Sequence, residues 1–257
     1  MSGECSGSGE LVGRVAVITG AARNIGRAIA LELAAAGAAV VVNAKQSAEA
    51  AQDVVAEIER RNGQALLHLT DISEPAGAEG LMAAAINRFG KIDILVNNAA
   101  IRREVPFEHL DLRQWREVLA VILDGAFLCA SAALPALRQA GEGAIINIGG
   151  MSAHAGSSGR AHVITAKAGL VGLTRALAHD LGPDGITANC VVPGMINTVR
   201  GEAAGDTAPS HHAIHSTLVG RRGSPEDIAS LVRFLSGPHA RYLTGQIIHA
   251  NGGAFLP

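Results

Sequence analysis

The sequence predicts an α/β protein, a doubly wound parallel sheet with helices on both faces, and three observations carry that prediction. Short apolar, β-branched runs alternate with amphipathic stretches along nearly all of the 257 residues. The first run, Val15 to Thr19, passes through a polar loop directly into Ile25, Ile29 and Leu33 at helical spacing. The runs are apolar at successive positions, as strands buried on both faces must be.

In chain order, Val15 to Thr19 is the first strand, and the first helix follows, closed by Gly37, which needs no Cβ and suits a C-cap. Ala39 to Val42 is a second buried strand. Ser47 stands where an N-cap belongs for a helix reaching Arg61, with Asn62-Gly63 as its stop. Ala65 to Leu69 makes a third strand, Glu74 to Phe89 a helix ended by Gly90, and Ile92 to Val96 a fourth strand. A long helical region around Leu112 to Leu137 precedes a strand at Ala144 to Ile148 and a helix from about Gly159 to Leu181. A strand at Ile186 to Val191, a helix from Pro225 to Leu235 and a strand at Gln246 to His249 complete the series. Right-handed crossovers between successive strands then give a parallel sheet. There are no repeats of solenoid type.

With 48% hydrophobic residues, one large core and one domain are expected over residues 11–257, behind a flexible polar tail at residues 1–10. A formal charge of -2 gives no footprint for nucleic acid or an anionic membrane. No apolar stretch is expected to span a bilayer, so neither partner is expected. Cys5, Cys129 and Cys190 lie far apart without a CxxC pair, which fits buried thiols in a reducing, cytoplasmic compartment. The opening MSGECSGSGE lacks the basic end and apolar run of a secretion signal.

The loop between the first strand and helix carries the first functional signal. Gly20 lets the chain leave the strand in a conformation a Cβ would resist, and Gly26 lets the new helix come close to its surroundings. The open amides and positive dipole end of that helix favour a phosphate, and a dinucleotide pyrophosphate is the natural guest. The long break in the alternation is Pro193 to Gly223, expected above the strand ends where ligands bind in open α/β sheets. Residues from about 195 to 222 are read as a substrate lid, with a solvated insertion as the alternative. His211, His212 and His215 fall inside it. A metal site there is the poorer reading, because no clear carboxylate or cysteine partner accompanies them, and no metal is expected.

From Leu11 to Pro257 the chain resembles the classical short-chain dehydrogenase/reductase family. The resemblance rests on TGAARNIG at 19–26, Asp71 after the third strand, NNAA at 97–100, NIGGMSAHAG at 147–156 and AKAGL at 166–170. It continues through ITANCVVPGMINT at 186–198, GRRGSPEDIA at 220–229 and YLTGQIIHANGG at 242–253. It implies a Rossmann-type, seven-stranded doubly wound sheet, an NAD(P) cofactor, a small-molecule substrate, and a homotetramer or homodimer. By that resemblance Gly20, Arg23, Asn24, Ile25 and Gly26 make the phosphate loop, and Asp71 and Ile72 flank the adenine. Asn97, Ala99 and Ala100 line the ribose side, and Pro193, Gly194, Ile196 and Thr198 sit by the nicotinamide amide. Lys167 holds the nicotinamide ribose hydroxyls.

One loop position departs from the family: its middle glycine is Asn24, a residue that tolerates left-handed backbone, so the turn is expected to survive. Ala44 occupies the position of an NAD-selecting carboxylate, with Lys45 next to it and Arg23 in the loop. Two cations without the carboxylate favour NADP(H) over NAD(H), against the reading of both as solvated surface charges.

Ketone reduction in this family uses a tyrosine as acid, a serine as oxyanion partner, a lysine that lowers the tyrosine pKa, and an asparagine that extends the proton relay. Here the tyrosine position, four before Lys167, is Val163; the serine position, thirteen before Val163, is Gly150; the asparagine position in AVILDG is Ile122. The single tyrosine of the chain is Tyr242, near the last strand. Only Lys167 remains, and Ser152, His154 and His162 are the candidates to stand in. His162 directly precedes the vacated position, although one helical step turns a side chain by about a hundred degrees. His154 lies on a segment that frames substrate, and Ser152 also reads as a loop-capping hydroxyl. For either histidine a supporting role is as good a reading.

The expected function is therefore an NADP(H)-dependent oxidoreductase acting on a carbonyl/alcohol substrate with a non-standard proton donor. The alternative is a catalytically silent NAD(P)-binding protein, a sensor or scaffold subunit. Non-redox chemistry on a bound substrate is a weaker third.

Overall fold

The structure, a computed structural model, describes residues 9–199 and 216–257. Most of the expected tail, the central part of the expected lid, and His211, His212 and His215 lie outside the described residues.

Seven strands form one sheet: β1 (Val15–Ile18), β2 (Ala39–Ala44), β3 (Ala65–Leu69), β4 (Ile94–Asn97), β5 (Ala144–Ile148), β6 (Thr187–Pro193) and β7 (Ile247–Ala250). The helices are α1 (Asn24–Ala35), α2 (Ala48–Arg60), α3 (Pro75–Phe89), α4 (Leu112–Leu119), α5 (Gly125–Ala140), the short α6 (Ser152–Ala155), α7 (Ala161–Leu181) and α8 (Pro225–Ser236). Strand order is β3-β2-β1-β4-β5-β6-β7, and every pairing is parallel. This is the doubly wound architecture expected from the alternation. β1 is central, with Ala16 in register with Val40 on one side and Ile94 on the other.

Each face of the sheet is sealed by apolar helix stripes. Ile29 and Leu33 of α1, Val54 and Ile58 of α2, and Ile228 and Val232 of α8 cluster with Ile18, Val40 and Val42. On the other face Leu81 and Met82 of α3, Cys129, Ala133 and Leu137 of α5, and Leu181 of α7 cluster with Val17, Val41, Leu95 and Ile145. Burial of this kind stabilises by roughly 25 cal/mol per Å² of apolar surface, which makes the two sealed faces the main source of stability.

Helix ends follow their local chemistry. Asp111 and Gln114 form a capping box at α4, and Ser224 and Asp227 form another at α8. Gly90 at φ 82° and Gly141 at φ 74° close α3 and α5 in left-handed backbone. Ser47 occupies the N-cap of α2 but makes no capping bond; its hydroxyl oxygen accepts instead from the Arg23 guanidinium at 2.7 Å.

Two expectations are amended. The long helical region is not uniform: α4 passes into α5 through a π-helical turn at Ala120–Asp124, a widened turn that periodicity does not show. The run Leu112–Ala140, by length and composition alone, is also long and apolar enough to cross a membrane, contrary to the expectation that no stretch is. Here α5 places Cys129, Ala133 and Leu137 in the core of the sheet.

The topology also places the site. From β1 the chain winds outward through β2 and β3, then returns to lay β4 on the opposite side of β1. The loops leaving β1 and β4 therefore diverge, and a crevice opens at the carboxyl ends of the strands.

Candidate functional site

An open cavity of ≈ 1420 Å³ occupies that crevice, and its walls come from the segments that follow β1 through β6. The loop after β1 shapes one end. Gly20 sits at φ 62°, and a Cβ there would stand 2.8 Å from the Ala99 Cα. A Cβ on Gly26 would stand 2.3 Å from the Gly20 carbonyl oxygen. Asn24 carries left-handed backbone at φ 52°. No side chain caps α1 and no acidic residue lies in its first turn, so its leading amides remain available to an anion.

A hydrogen-bond network sets this loop against β4 and β2. The Thr19 hydroxyl oxygen accepts from the Asn98 and Ala99 amides at 3.0 and 3.1 Å. The Asn98 side chain donates to the carbonyls of Thr19 and Gly20, both at 2.9 Å. Asn43 accepts from the Gly20 amide at 3.3 Å and donates to the carbonyls of His68 and Thr70.

Beside the end of β2, Arg23, Lys45 and Ser47 line one corner of the cavity. The Lys45 ammonium stands 2.5 Å from the Asp71 carboxylate. Burial pushes the Asp71 carboxyl up, but Lys45 and the hydroxyl and amide of Ser73 together hold it below its ordinary value. The last residue of β2 is the buried Ala44, so the strand itself ends without an acidic side chain, and the carboxylate beside Lys45 is that of Asp71 after β3.

Of the residues expected at a nucleotide, Gly20, Arg23, Asn24, Ile25, Gly26, Lys45, Ile72, Ala99, Ala100, Lys167, Pro193, Gly194, Ile196 and Thr198 line the cavity. Asp71 and Asn97 do not. Asp71 stands behind Lys45, and Asn97 turns inward to donate to the Asn147 side chain at 2.9 Å. Asn98 lines the wall instead, because adjacent residues at a strand end point to opposite sides.

The deep end holds Lys167, whose ammonium donates to the Ile148 carbonyl. Burial brings its pKa down to about 8, with Arg102 and Arg160 adding to the fall. Gly150 borders Lys167 across open space, the nearest atom to a built Cβ being the Lys167 Cγ at 4.0 Å. Val163 reaches the cavity wall, and it packs with Val118, Ile122, Ala126, Ala166 and Leu170 into one apolar cluster.

Ser152 lines the cavity, whereas His154 and His162 do not. His154 packs edge-on to His249, ring centroids 4.5 Å apart, and His249 in turn packs on Phe255 at 5.4 Å. His162 is fully buried, and among the described residues neither ring nitrogen has a hydrogen-bond partner. Burial lowers both imidazole pKa values, helped by Arg175 at His154 and by Arg103 and Arg160 at His162. The rotation expected from one helical step is thus what removes His162 from the cavity.

Charged side chains also line the cavity: Arg102, Arg103, Glu104, Glu117, Arg160 and Arg222. Arg103 pairs with Glu117 at 2.9 Å, and Arg102 donates to the Thr198 hydroxyl at 3.3 Å. Asn43, Arg102, Arg103, Glu104, Glu117 and Arg160 fall outside the motifs of the sequence, and Asn98 and Arg222 lie within NNAA and GRRGSPEDIA without an assigned role there; only the loops' convergence brings them together. Among the described residues no group of three or more His, Cys, Asp or Glu side chains is placed to hold a metal ion.

Comparison with known proteins agrees with this arrangement. A family profile described as "Enoyl-(Acyl carrier protein) reductase" matches residues 20–254. The chain is 38% identical over 247 residues to a 3-oxoacyl-(acyl-carrier-protein) reductase of Synechocystis, covering 96% of this chain and 98% of that one. It is 35% identical to a reductase of the same description from Escherichia coli, covering 95% and 98% of the two chains. A solved dehydrogenase/reductase from Sinorhizobium meliloti superposes with a TM-score of 0.90 at 37% identity, covering 97% and 98%. A short chain dehydrogenase from Burkholderia cenocepacia, solved in complex with NADP, gives 0.88 at 36% identity, covering 95% and 99%. With this sheet order, this crevice and these relatives, the chain belongs to the short-chain dehydrogenase/reductase family of oxidoreductases.

Proposed function

We propose that the protein is an NADP(H)-dependent oxidoreductase acting on a carbonyl/alcohol substrate, with a proton donor that differs from the family's tyrosine. The observation that carries this reading is the continuity of one cavity from the Arg23, Lys45 and Ser47 corner, past the glycine loop, to Lys167. The residues present suit a dinucleotide: a Cβ would collide at Gly20 and Gly26, α1 is open to a phosphate, and β2 ends without a carboxylate. Arg23 and Lys45 would receive a 2′-phosphate, the Lys45–Asp71 pair being solvent-facing and so readily exchanged. Pro193, Gly194, Ile196 and Thr198 would meet the nicotinamide amide, and Lys167 the ribose hydroxyls. When bound, the cofactor supplies or accepts the hydride. The NADP held by the Burkholderia relative and the 3-oxoacyl substrates named for the curated relatives support the same direction.

The protein's own task is then to hold and move a proton. Guanidinium groups keep their protons at any working pH, so the arginines can orient substrate but not protonate it. His154 and His162 stand away from the cavity. Lys167 is the donor at the deep end whose proton can leave, with the Ser152 hydroxyl on the same cavity wall. A second reading, a catalytically silent NAD(P)-binding protein, is favoured by the apolar cluster that joins Ile122 to Val163 where the family has polar relay groups. Either reading carries a homotetramer or homodimer in a reducing cytoplasmic compartment, consistent with the free, buried thiols of Cys129 and Cys190.

Fluorescence titration with NADPH and NADH, followed by turnover on a panel of carbonyl compounds, tests both. Arg23→Gln combined with Lys45→Gln is expected to weaken NADPH at least about tenfold and leave NADH unchanged, as the loss of charge-assisted phosphate bonds requires. Lys167→Met abolishes turnover under the first reading, whereas His154→Ala and His162→Ala retain it. Tight NADPH binding without turnover on any carbonyl selects the second reading. A folded protein that binds neither nucleotide overturns both.

A further inference from the structure

We propose that Asn24 is a positioning residue that ties the phosphate loop to the strap following β6, and so holds the two walls of the nucleotide cavity at one spacing. The proposal rests on the nucleotide reading above and adds a role for a side chain that this reading leaves unexplained. Left-handed backbone at φ 52° would be served by glycine, so backbone conformation gives no reason for an amide side chain here.

The side chain has a partner across the cavity mouth. Asn24 Nδ2 donates to the Val199 carbonyl at 2.8 Å, and Asn24 Oδ1 accepts from the Val199 amide at 2.8 Å. This reciprocal pair imitates a strand ladder: two parallel bonds fix orientation as well as distance, between residues separated by 175 positions. The Val199 side chain is 79% exposed, so packing does not hold the strap there. Elsewhere the strap is fixed by backbone and side-chain bonds. The Gly223 amide donates to the Met195 carbonyl at 3.0 Å and the Asn197 amide to the Gly223 carbonyl at 2.8 Å. Arg102 holds the Thr198 hydroxyl. Asn24 adds the attachment at the phosphate-loop end.

Residue chemistry narrows the choice. Asparagine is the short side chain that offers both a donor and an acceptor and still tolerates left-handed backbone. Aspartate would lose the donor and set a negative charge in a loop meant for phosphate. Glycine would keep the backbone and lose both bonds. The cavity lining runs from Arg23 and Lys45 on one side of Asn24 to Pro193 through Val199 on the other. A molecule that fills the cavity meets both walls, whereas one confined to the Arg23, Lys45 and Ser47 corner meets the phosphate loop alone.

Asn24→Gly therefore separates positioning from folding, because it preserves the left-handed turn. The experiment measures binding of NADPH and of 2′,5′-ADP to wild type and variant by calorimetry, and amide hydrogen exchange at Val199 without nucleotide. The expected result is NADPH weakened roughly five- to tenfold, on the order of one net hydrogen bond's contribution. Binding of 2′,5′-ADP should stay within about twofold, and the Val199 amide should exchange several-fold faster. Unchanged NADPH affinity, equal weakening of both ligands, or unchanged exchange at Val199 would each overturn the positioning role. Failure of the wild type to bind either ligand is a different result: it overturns the nucleotide reading itself, and the role of Asn24 with it.

Discussion

Gly150→Ser together with Val163→Tyr would restore the hydroxyl groups that the family places beside its lysine. The structure accommodates the first change: Gly150 needs no left-handed backbone, and the nearest neighbour of a new Cβ lies 4.0 Å away. The second is more demanding. Val163 is 3% exposed within the apolar cluster of Val118, Ile122 and Leu170, yet it also borders the cavity, so the ring has somewhere to go. Inserting a larger side chain into such packing costs about 1–3 kcal/mol, which a folded domain of this size can absorb. Position 163 lies one helical turn before Lys167, so the phenol and the ammonium share a face of α7. A positioned acid is worth about 10² to 10⁴ in rate, or roughly 3–5 kcal/mol of barrier. The assay follows NADPH absorbance with simple ketones for wild type, both single variants and the double variant. Groups that act as a unit do not add, so the single variants should gain little and the double variant at least about a hundredfold. A double variant that folds, binds NADPH as tightly as wild type and gains nothing would refute the reasoning that only the proton donor has changed.

Three other outcomes are expected. Gly26→Ala would drive a Cβ to 2.3 Å from the Gly20 carbonyl and 2.6 Å from the Asn98 side chain. It should lower stability by at least about 2 kcal/mol in chemical denaturation, whereas Gly172→Ala, with open space around it and an interior helix position, should be neutral or stabilising by up to about 1 kcal/mol. Ser224→Ala removes the cap of α8 and should cost about 1 kcal/mol, read as a lowered melting temperature. Its box partner Asp227, held below the ordinary carboxylate range by Arg221, contributes stability that is present above that range and lost as pH falls through and below it. For Lys167 the sign is the same and only the pH window is higher: with a folded pKa of about 8 against 10.5 for the free side chain, the unfolded chain binds more protons between those values. Stability should therefore rise with pH across that window, and Lys167→Met should flatten the rise in urea titrations at a series of pH values.

Much of the fold was legible because its signals are local. Ala65–Leu69 and Ala144–Ile148 have the same bounds in the structure as in the sequence pattern, and most other strands and helices move only by a residue or two. Such elements are set by apolar periodicity and by stop residues such as Gly90, which act over a few positions. The left-handed turn at Asn24 was legible for the same reason, as a property of one residue's backbone. The basic corner was half legible: Arg23 and Lys45 stood out, but Ser47 read as a cap and proved to be a partner of Arg23.

By itself, then, the sequence determined the order and type of the elements, the glycine loop, the loss of carboxylate at the end of β2, and the valine and glycine beside Lys167. Tertiary structure alone decided which side chains share a space. It turned Asn97 inward and Asn98 to the cavity, moved His154 against His249 and Phe255, buried His162 away from the wall, and joined Asn24 to Val199. The physical reason is that periodicity records which face of an element is apolar. The neighbour that a polar group meets depends on crossovers that bring distant segments to one sheet end, and no local pattern carries that information.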